Sequence, residues 1–147
     1  MTTLCFDFGN TRLKCGVFND AEQAELLSLE NDNDETISAL IEKYKPGKSL
    51  LSSVIDHNPN METLLAGASK FHKLDHHSKL SITTPVGKPE TIGADRLALV
   101  VAASYLYPGM HNLVIGLGTA ITYNFINKHK EFLGGGISPG MEMRFKS

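Results

Sequence analysis

The sequence predicts an α/β fold in which helices flank a mixed β-sheet, and three observations support this prediction. Two apolar segments with strand-like alternation surround a small, polar turn at Gly9-Asn10-Thr11, which indicates a β-hairpin. A third strand pattern follows at residues 24–29. A helix, a short apolar strand and a second helix come next, so the predicted order is β-β-β-α-β-α. Three antiparallel strands followed by α-β-α is the ribonuclease-H-like order.

The first hairpin, residues 4–17, carries groups that suit a phosphate chain and its metal ion. Asp7 supplies a carboxylate that would hold Mg²⁺ directly or through water, and Gly9 lets backbone N–H groups approach anionic oxygens. Thr11 and Lys14 can bind the same oxygens. An ordinary hairpin with a polar turn is the alternative, which this stretch alone favours because short motifs often match by chance.

The elements between the first hairpin and residue 70 follow common start and stop signals. The cluster Asn31-Asp32-Asn33-Asp34 predicts the cap of a helix over residues 35–44, which Pro46-Gly47 ends. Apolar residues at helical spacing support this helix, namely Ile37, Leu40 and Ile41. Residues 49–55 form a short apolar run that predicts a buried strand. Asn58-Pro59 opens the second helix, which is expected to reach residue 69.

Residues 71–91 are polar and irregular, and they contain Asp75-His76-His77. Adjacent histidines suggest a metal site. However, consecutive residues point in different directions on a strand or a helix, and the sequence places no further Cys or His at ligand spacing. We therefore expect a solvated loop here.

The most apolar helix is predicted over residues 94–107, with Asp95 and Arg96 in its first turn. The helix N-terminus stabilises a carboxylate, which is one sufficient explanation for Asp95. The other explanation is catalytic. An ionised carboxylate at the mouth of a cleft can accept a proton from a substrate hydroxyl, while Arg96 holds an anionic group of a substrate or nucleotide. The local sequence leaves both explanations open.

A second hairpin is predicted from residues 111–117 and 119–127, with Gly116-Leu117-Gly118-Thr119 at its turn. It repeats the pattern of the first hairpin, an apolar strand on each side of a glycine-rich turn. A dinucleotide-binding fingerprint fits poorly because Ile121 stands where its third glycine would be. Residues 134–143 then predict a glycine-rich loop that runs into a helix, and we expect this helix to continue to Ser147.

Composition and charge limit the class of protein. Of the 147 residues, 41% are hydrophobic and 20% are charged, and the net charge is −2. These values predict a soluble globular protein with no electrostatic basis for binding nucleic acid or an acidic membrane. The sequence has no apolar run long enough to span a membrane and no signal sequence, so we expect a cytoplasmic protein. Cys5 and Cys15 could face each other across the first hairpin, but in a reducing cytosol we expect two buried thiols rather than a disulfide.

Four motifs, in order along the chain, resemble those of type III pantothenate kinases. Asp7-Phe8-Gly9-Asn10-Thr11-Arg12-Leu13-Lys14 is similar to the first phosphate motif of that family. Pro89-Glu90-Thr91-Ile92-Gly93-Ala94-Asp95-Arg96-Leu97 is similar to its substrate motif. Gly118-Thr119-Ala120-Ile121-Thr122 is similar to its second phosphate motif, and residues 134–143 resemble the Gly-Gly, Pro-Gly segment that follows. The resemblance covers the chain from end to end.

The resemblance implies an actin-like fold of two ribonuclease-H-like lobes with ATP between them, in an obligate homodimer. It implies transfer of the γ-phosphate of ATP to pantothenate, the first step of coenzyme A synthesis, with Mg²⁺ and a monovalent cation, K⁺ or NH₄⁺. It assigns the ATP phosphates to Asp7, Phe8, Gly9, Asn10, Thr11, Arg12, Leu13, Lys14, Gly118 and Thr119. It assigns pantothenate to Gly93, Ala94, Asp95 and Arg96, with Asp95 as the proton acceptor. These assignments agree with the residue chemistry, since phosphoryl transfer needs positioning, Mg²⁺ and a base for the attacking hydroxyl.

Three features depart from the family pattern. Gly116 stands where the family has an Asp that helps to bind the monovalent cation, so we expect that site to be impaired. Val86 stands where the family tends to place a Tyr of the pantothenate pocket. Family members are also longer, so the resemblance implies a complete first lobe at residues 1–110 and an incomplete second lobe at residues 111–147.

Two other functions are alternatives to the kinase hypothesis. A catalytically impaired or inactive relative with a binding or regulatory role is favoured by Gly116 and Val86, whereas Asp7, Lys14 and Asp95 favour the kinase. A different phosphotransferase on the same scaffold is the third hypothesis, and only substrate profiling separates it from the first.

Overall fold

The computed structural model describes residues 1–146 and divides into two compact units. The first unit is Met1–Leu74, and the second begins at Asp75. The resemblance predicted a different boundary, between a first lobe at residues 1–110 and a second lobe at residues 111–147. It falls inside the second unit and stays a prediction.

The first unit is a five-stranded mixed sheet with two helices. Its elements are β1 (Thr2–Phe8), β2 (Leu13–Asn19), β3 (Glu22–Leu29), α1 (Asp34–Tyr44), β4 (Lys48–Ser53), α2 (Asn60–Ala68) and β5 (Lys70–Lys73). The strand order is β3-β2-β1-β4-β5, in which β2 pairs antiparallel with both β1 and β3, and β4 pairs parallel with both β1 and β5. This topology confirms the predicted mixed sheet and the ribonuclease-H-like order.

The alternation of the strands builds one core in the first unit. Every second residue of β1 is buried, and these residues form the core together with side chains from β2, β4 and both helices: Leu4, Phe6, Phe8, Cys15, Val17, Ile37, Leu51, Met61 and Leu65. Each large apolar side chain in this set contributes about 1.5–3 kcal/mol relative to an exposed position. The opposite face of β1 carries Cys5 and Asp7, so the same alternation that fills the core places a carboxylate on the other side of the sheet.

The helix signals are confirmed, with a shift of about one residue that is ordinary for helix ends. Oδ1 of Asn33 accepts a hydrogen bond from the backbone N–H of Thr36 at 2.9 Å and caps α1. Lys45 ends the same helix in the left-handed conformation with φ 43°, one residue before the predicted Pro46-Gly47 stop.

The prediction for residues 71–91 was wrong at its start, because Lys70–Lys73 form the edge strand β5. This strand is short and mostly exposed, so it lacks the apolar pattern that identifies a strand. The loop that follows is confirmed at Asp75, whose carboxylate accepts from the backbone N–H of His77 at 2.8 Å. Within residues 1–146, no group of three or more His, Cys, Asp or Glu side chains could hold a metal ion.

The two cysteines are free thiols on opposite faces of the first sheet. Cys5 pairs with Gly16, and Cys15 pairs with Phe6. The expectation that the two cysteines could face each other was therefore wrong, because a shift of one residue in the strand register places them on opposite faces. Burial raises the pKa of the Cys15 thiol to about 12.

The second unit contains a helix and a three-stranded antiparallel sheet. After a short 3₁₀ helix (Pro89–Thr91) come α3 (Ala94–Leu106), β6 (Asn112–Leu117), β7 (Ala120–Ile126), β8 (Phe132–Pro139) and α4 (Met141–Phe145). The sheet order is β6-β7-β8, and α3 packs against β6 and β7. None of the helices in the described part of the chain has the length and apolar character needed to cross a bilayer.

The glycine-rich loop predicted at residues 134–143 is mostly strand β8, which corrects that prediction. Gly135 pairs with Asn124, and a Cβ at position 135 would overlap the backbone of Tyr123. Glycine therefore permits the close strand approach, but it leaves no side-chain alternation by which a strand is recognised. The predicted helix follows as α4 but ends at Phe145 with Lys146 as its C-cap, so its expected continuation was wrong at Lys146, and Ser147 lies outside the described residues.

Candidate active site

The turn of the first hairpin is closed by one backbone bond. The N–H of Gly9 donates to the carbonyl of Arg12 at 3.0 Å, and the intervening residues Asn10 and Thr11 are exposed. A Cβ at Gly9 would meet only the Arg12 carbonyl, at 3.8 Å, which is an ordinary contact. Packing within the chain therefore does not require a glycine at this position.

Asp7 and Lys14 are directly opposite each other in the register of β1 and β2. Because paired residues point to the same face of a sheet, the carboxylate and the ammonium group emerge side by side next to the turn. Asp7 is exposed, whereas Phe8 is buried in the core and Leu13 packs against it. The motif thus combines an exposed polar side chain with side chains that pack in the core.

This hairpin fits a magnesium ion bound together with phosphates. Mg²⁺ takes oxygen ligands, keeps several waters and is commonly held by one or two carboxylates plus the phosphates of a substrate. Asp7 would supply the carboxylate, and the ammonium group of Lys14 would neutralise phosphate oxygens. The donor set is therefore chemically suited to a magnesium nucleotide.

The substrate-like motif lies at the start of α3 in the second unit. Gly93 is the N-cap residue, and the backbone N–H of Arg96 donates to its carbonyl at 3.1 Å. Asp95 is half-buried in the first turn, where the helix N-terminus stabilises a carboxylate. Ala94 is buried, so its side chain serves packing.

Arg96 is held by β7 and β8. Its Nε donates to Oδ1 of Asn124 at 2.6 Å, and its Nη2 donates to the backbone carbonyl of Tyr123 at 3.4 Å. The guanidinium carbon also lies 5.8 Å from the centre of the Phe132 ring. These contacts fix the direction of a cation that the sequence assigned to substrate binding.

Asn124 is fully buried, and all its amide groups have partners. Its Nδ2 donates to the carbonyl of Val114 and to Oγ1 of Thr122, both at 3.2 Å. Because Arg96 can only donate, the oxygen of the amide must face it, and the side chain has one orientation. Asn124 was not among the residues predicted from the sequence, although an amide inside an apolar strand was a signal that could have identified it.

Position 116 has no room for the carboxylate that the family pattern places there. A Cβ on Gly116 would lie 2.6 Å from Oγ1 of Thr122 and 3.0 Å from Cδ1 of Leu99. Gly116 supplies no carboxylate for a cation, and the nearest side-chain atoms are the hydroxyl of Thr122 and a methyl group of Leu99. Val86 is half-buried near Gly134, since a Cβ on that glycine would lie 3.9 Å from Val86 Cγ1.

The turn of the second hairpin, Gly118-Thr119, is braced by the segment that enters α4. The N–H of Gly140 donates to the carbonyl of Thr119 at 2.9 Å. A Cβ at position 140 would overlap the carbonyl oxygens of both turn residues. The Pro-Gly segment and the second phosphate-like motif are thus one packed structure, which sequence spacing alone did not indicate.

A row of polar side chains in the first unit was likewise not predicted from the sequence. Nδ1 of His57 lies 3.0 Å from Oγ of Ser53, and Nε2 of His57 lies 2.8 Å from Oε1 of Glu62, which also accepts from Nζ of Lys73 at 2.7 Å. The pKa of the Glu62 carboxyl is held below its ordinary range, mainly by the hydrogen bond from Lys73 and also by that from His57. The row joins the end of β4 to α2 and β5.

The predicted site residues therefore fall into two groups, each within one unit. The first unit brings Asp7, Lys14 and the Gly9 turn together. The second unit places Asp95 and Arg96 on α3, which packs against β6 and β7, and braces Gly118 and Thr119 with Gly140.

Comparison with known proteins identifies the family. The family model described as type III pantothenate kinase matches residues 3–147. A type III pantothenate kinase of Christiangramia forsetii is 40% identical over 146 residues, and one of Bacteroides fragilis is 38% identical over 148 residues. Each alignment covers 98% of this chain and 60% of the relative, so the chain spans about 60% of the length of these relatives.

A solved structure is similar at a greater distance. The chain resembles a Ppx/GppA family member of Aquifex aeolicus with a TM-score of 0.47 and 16% identity, over 100% of this chain and 54% of the other. That likeness is too distant to support an argument. The match of the family model over nearly the whole sequence is sufficient: this chain belongs to the type III pantothenate kinase family.

Proposed function

We propose that the protein is a kinase that uses ATP to phosphorylate pantothenate to 4′-phosphopantothenate, the first step of coenzyme A synthesis. The observation that carries the proposal is the pairing of Asp7 with Lys14 beside the Gly9 turn. This pairing gives a carboxylate for a magnesium ion and a cation for phosphate oxygens within one hairpin. The names of the relatives, type III pantothenate kinase, support the choice of substrate.

In the proposed reaction, the main role of the chain is to position the phosphates of ATP and the attacking hydroxyl of pantothenate. As the resemblance implies, we assign the phosphates of ATP to residues 7–14 and to Gly118 and Thr119, and we assign pantothenate to residues 93–96. The attacking hydroxyl of pantothenate gives its proton to the carboxylate of Asp95. The hydroxyl oxygen bonds to the γ-phosphorus of ATP, and ADP leaves as its own bond to that phosphorus breaks. Bound Mg²⁺ would neutralise charge on the phosphates.

No step through a monovalent cation belongs to this proposal. Gly116 supplies no carboxylate, and Thr122 fills the space beside it. The homodimer that the resemblance implies and the cytoplasmic location that the sequence predicts are part of the proposal and need tests of their own.

A second candidate is a relative that binds ligands or partners with little or no turnover. It is favoured by the packing at position 116, where Thr122 and Leu99 leave no room for the family carboxylate. It is also favoured by Val86 in place of the pocket Tyr. The two candidates share the phosphate hairpin, so nucleotide binding alone does not separate them.

Pantothenate-dependent release of ADP from magnesium·ATP in potassium buffer is the test of the proposed function. The variants are Asp95→Asn, Asp7→Asn and, as a matched control, Glu42→Gln on α1, which lies outside the four motifs and has an exposed side chain. We expect release that needs pantothenate, collapses in both Asp variants and persists in the control. Nucleotide binding without release would favour the binding protein. Release with another acceptor but not with pantothenate would favour a different phosphotransferase.

A further inference from the structure

Ser52 has a buried hydroxyl that lacks a hydrogen-bond partner. The residue is 6% exposed, and among residues 1–146 its Oγ is the one buried side-chain polar atom with no partner. Buried hydroxyl groups in folded proteins are almost always hydrogen-bonded, because leaving one unpaired costs the hydration it had in the unfolded chain. A buried hydroxyl without a partner therefore needs an explanation. One explanation is that it forms its hydrogen bond only when a ligand is bound.

The sheet register places Ser52 beside the phosphate hairpin. Ser52 on β4 pairs with Asp7 on β1, and Asp7 pairs in turn with Lys14 on β2. Adjacent strands lie about 4.7–4.9 Å apart, and residues in register point to the same face. Lys14, Asp7 and Ser52 thus form one row across three strands, on the face opposite the core residue Leu51.

We propose that Ser52 is a positioning residue for the magnesium carboxylate, donating a hydrogen bond from Oγ to Asp7 when magnesium·ATP binds. This inference rests on the proposed function. Carboxylates that bind metal ions are commonly held by hydrogen bonds from neighbouring groups, which orient the remaining oxygen toward the ion. A rotation about χ1 moves the Ser52 hydroxyl between staggered positions without any change in the backbone.

Ser49 provides a matched control on the same strand. It is 2% exposed, but its Oγ lies 2.6 Å from Oγ of Ser69, which donates in turn to the carbonyl of Leu65 at 2.8 Å. Ser49 has a structural partner and lies on the core face, whereas Ser52 has none and lies on the Asp7 face. Ser49→Ala therefore removes a hydroxyl that has a hydrogen-bond partner, whereas Ser52→Ala removes one that has none.

The test compares Ser52→Ala, Ser49→Ala and Asp7→Asn with the wild-type chain in two measurements. The first is thermal unfolding without nucleotide or metal, where Ser52→Ala should unfold at the same or a higher temperature and Ser49→Ala at a lower one. The second is calorimetric titration with ATP, with magnesium or with EDTA. Ser52→Ala should weaken magnesium·ATP binding about 10-fold and leave metal-free ATP binding unchanged, and Ser49→Ala should change neither.

The outcomes separate this inference from the proposed function. A lower unfolding temperature for Ser52→Ala would mean that the hydroxyl has a structural partner and would overturn the inference. Wild-type affinity for magnesium·ATP in Ser52→Ala, with weakened binding in Asp7→Asn, would overturn the inference alone. Wild-type affinity in Asp7→Asn, or no binding by the wild-type chain, would overturn the proposed phosphate site and the inference with it.

Discussion

Oδ1 of Asn124 accepts a hydrogen bond from Nε of Arg96 over 2.6 Å, and this bond ties the first turn of α3 to the middle of β7. The amide nitrogen of Asn124 is already engaged by Val114 and Thr122, so the side chain cannot turn away without losing bonds on both sides. A buried, fully satisfied amide thereby sets the direction of a guanidinium in the substrate-like motif.

Replacing Asn124 by alanine should lower the free energy of unfolding by about 1–3 kcal/mol, because Arg96 and two β-sheet groups lose their partner. Combining Asn124→Ala with Arg96→Ala should cost less than the sum of the single changes, with a coupling of about 0.5–3 kcal/mol. Urea unfolding of the four proteins measures both quantities. Asn112→Ala is the control, since its amide donates only to exposed carbonyls at 3.2 and 3.4 Å. Strictly additive costs would contradict the coupling.

The replacement Gly116→Asp, which introduces the residue that the resemblance places there, should destabilise this chain. The new Cβ would lie 2.6 Å from Oγ1 of Thr122 and 3.0 Å from Cδ1 of Leu99, and overpacking of this kind costs about 1–3 kcal/mol. Gly116→Ala should show most of the same loss, because the clash begins at Cβ. Thermal unfolding is the measurement.

The double variant Gly116→Asp/Thr122→Ala tests the cause of that loss. Removing the Thr122 hydroxyl should recover part of the stability of Gly116→Asp, although it also removes a partner of Asn124. A Gly116→Asp chain as stable as the wild type would show that the strand has room for the family carboxylate, contrary to the expected clash.

The two glycine-rich motifs should respond differently to alanine. Gly140→Ala should destabilise the chain by about 1–3 kcal/mol or more, because its Cβ would overlap two backbone carbonyls that have little freedom to move. Gly9→Ala should leave the unfolding temperature nearly unchanged, since the nearest atom would be 3.8 Å away. If phosphates approach the Gly9 backbone as proposed, the same variant should bind magnesium·ATP more weakly. Equal stability loss in both variants would contradict this distinction.

Local patterns were enough to predict four of the five strands of the first sheet, and longer-range contacts explain what they missed. Strand β1 alternates clearly beside a turn, and α1 has an Asn cap, so each signal lies within a few residues. The edge strand β5 and the glycine-rich β8 carry no alternation, because the first is mostly exposed and three consecutive glycines interrupt the second. Backbone pairing with a neighbouring strand makes them strands, and sequence alone does not show that pairing.

Some residues of the candidate site were predicted from local sequence, and others depend on contacts with residues far away in the chain. Asp7 and Lys14 were found because a tight turn fixes which residues of a hairpin face each other. Asn124 and Ser52 were missed because their importance depends on residues far away in the chain, Arg96 in one case and Asp7 in the other. The clash at Gly116 likewise depends on Thr122, which only the pairing of β6 with β7 brings opposite it.

The hydrogen bonds to Glu62 predict a loss of stability in acid. The bond from Lys73, and to a smaller extent that from His57, lowers the pKa of this carboxyl below its ordinary value of 4.5. A lowered pKa in the folded state contributes stability that is complete above the unfolded value and is lost as pH falls through the folded one. Glu62→Gln should therefore flatten the dependence of the unfolding temperature on pH below about 4.5, while lowering that temperature at neutral pH. Glu42→Gln on the exposed face of α1 is the control and should keep the wild-type acid profile. An acid profile in Glu62→Gln as steep as that of the wild type would place the sensitivity in other carboxyl groups.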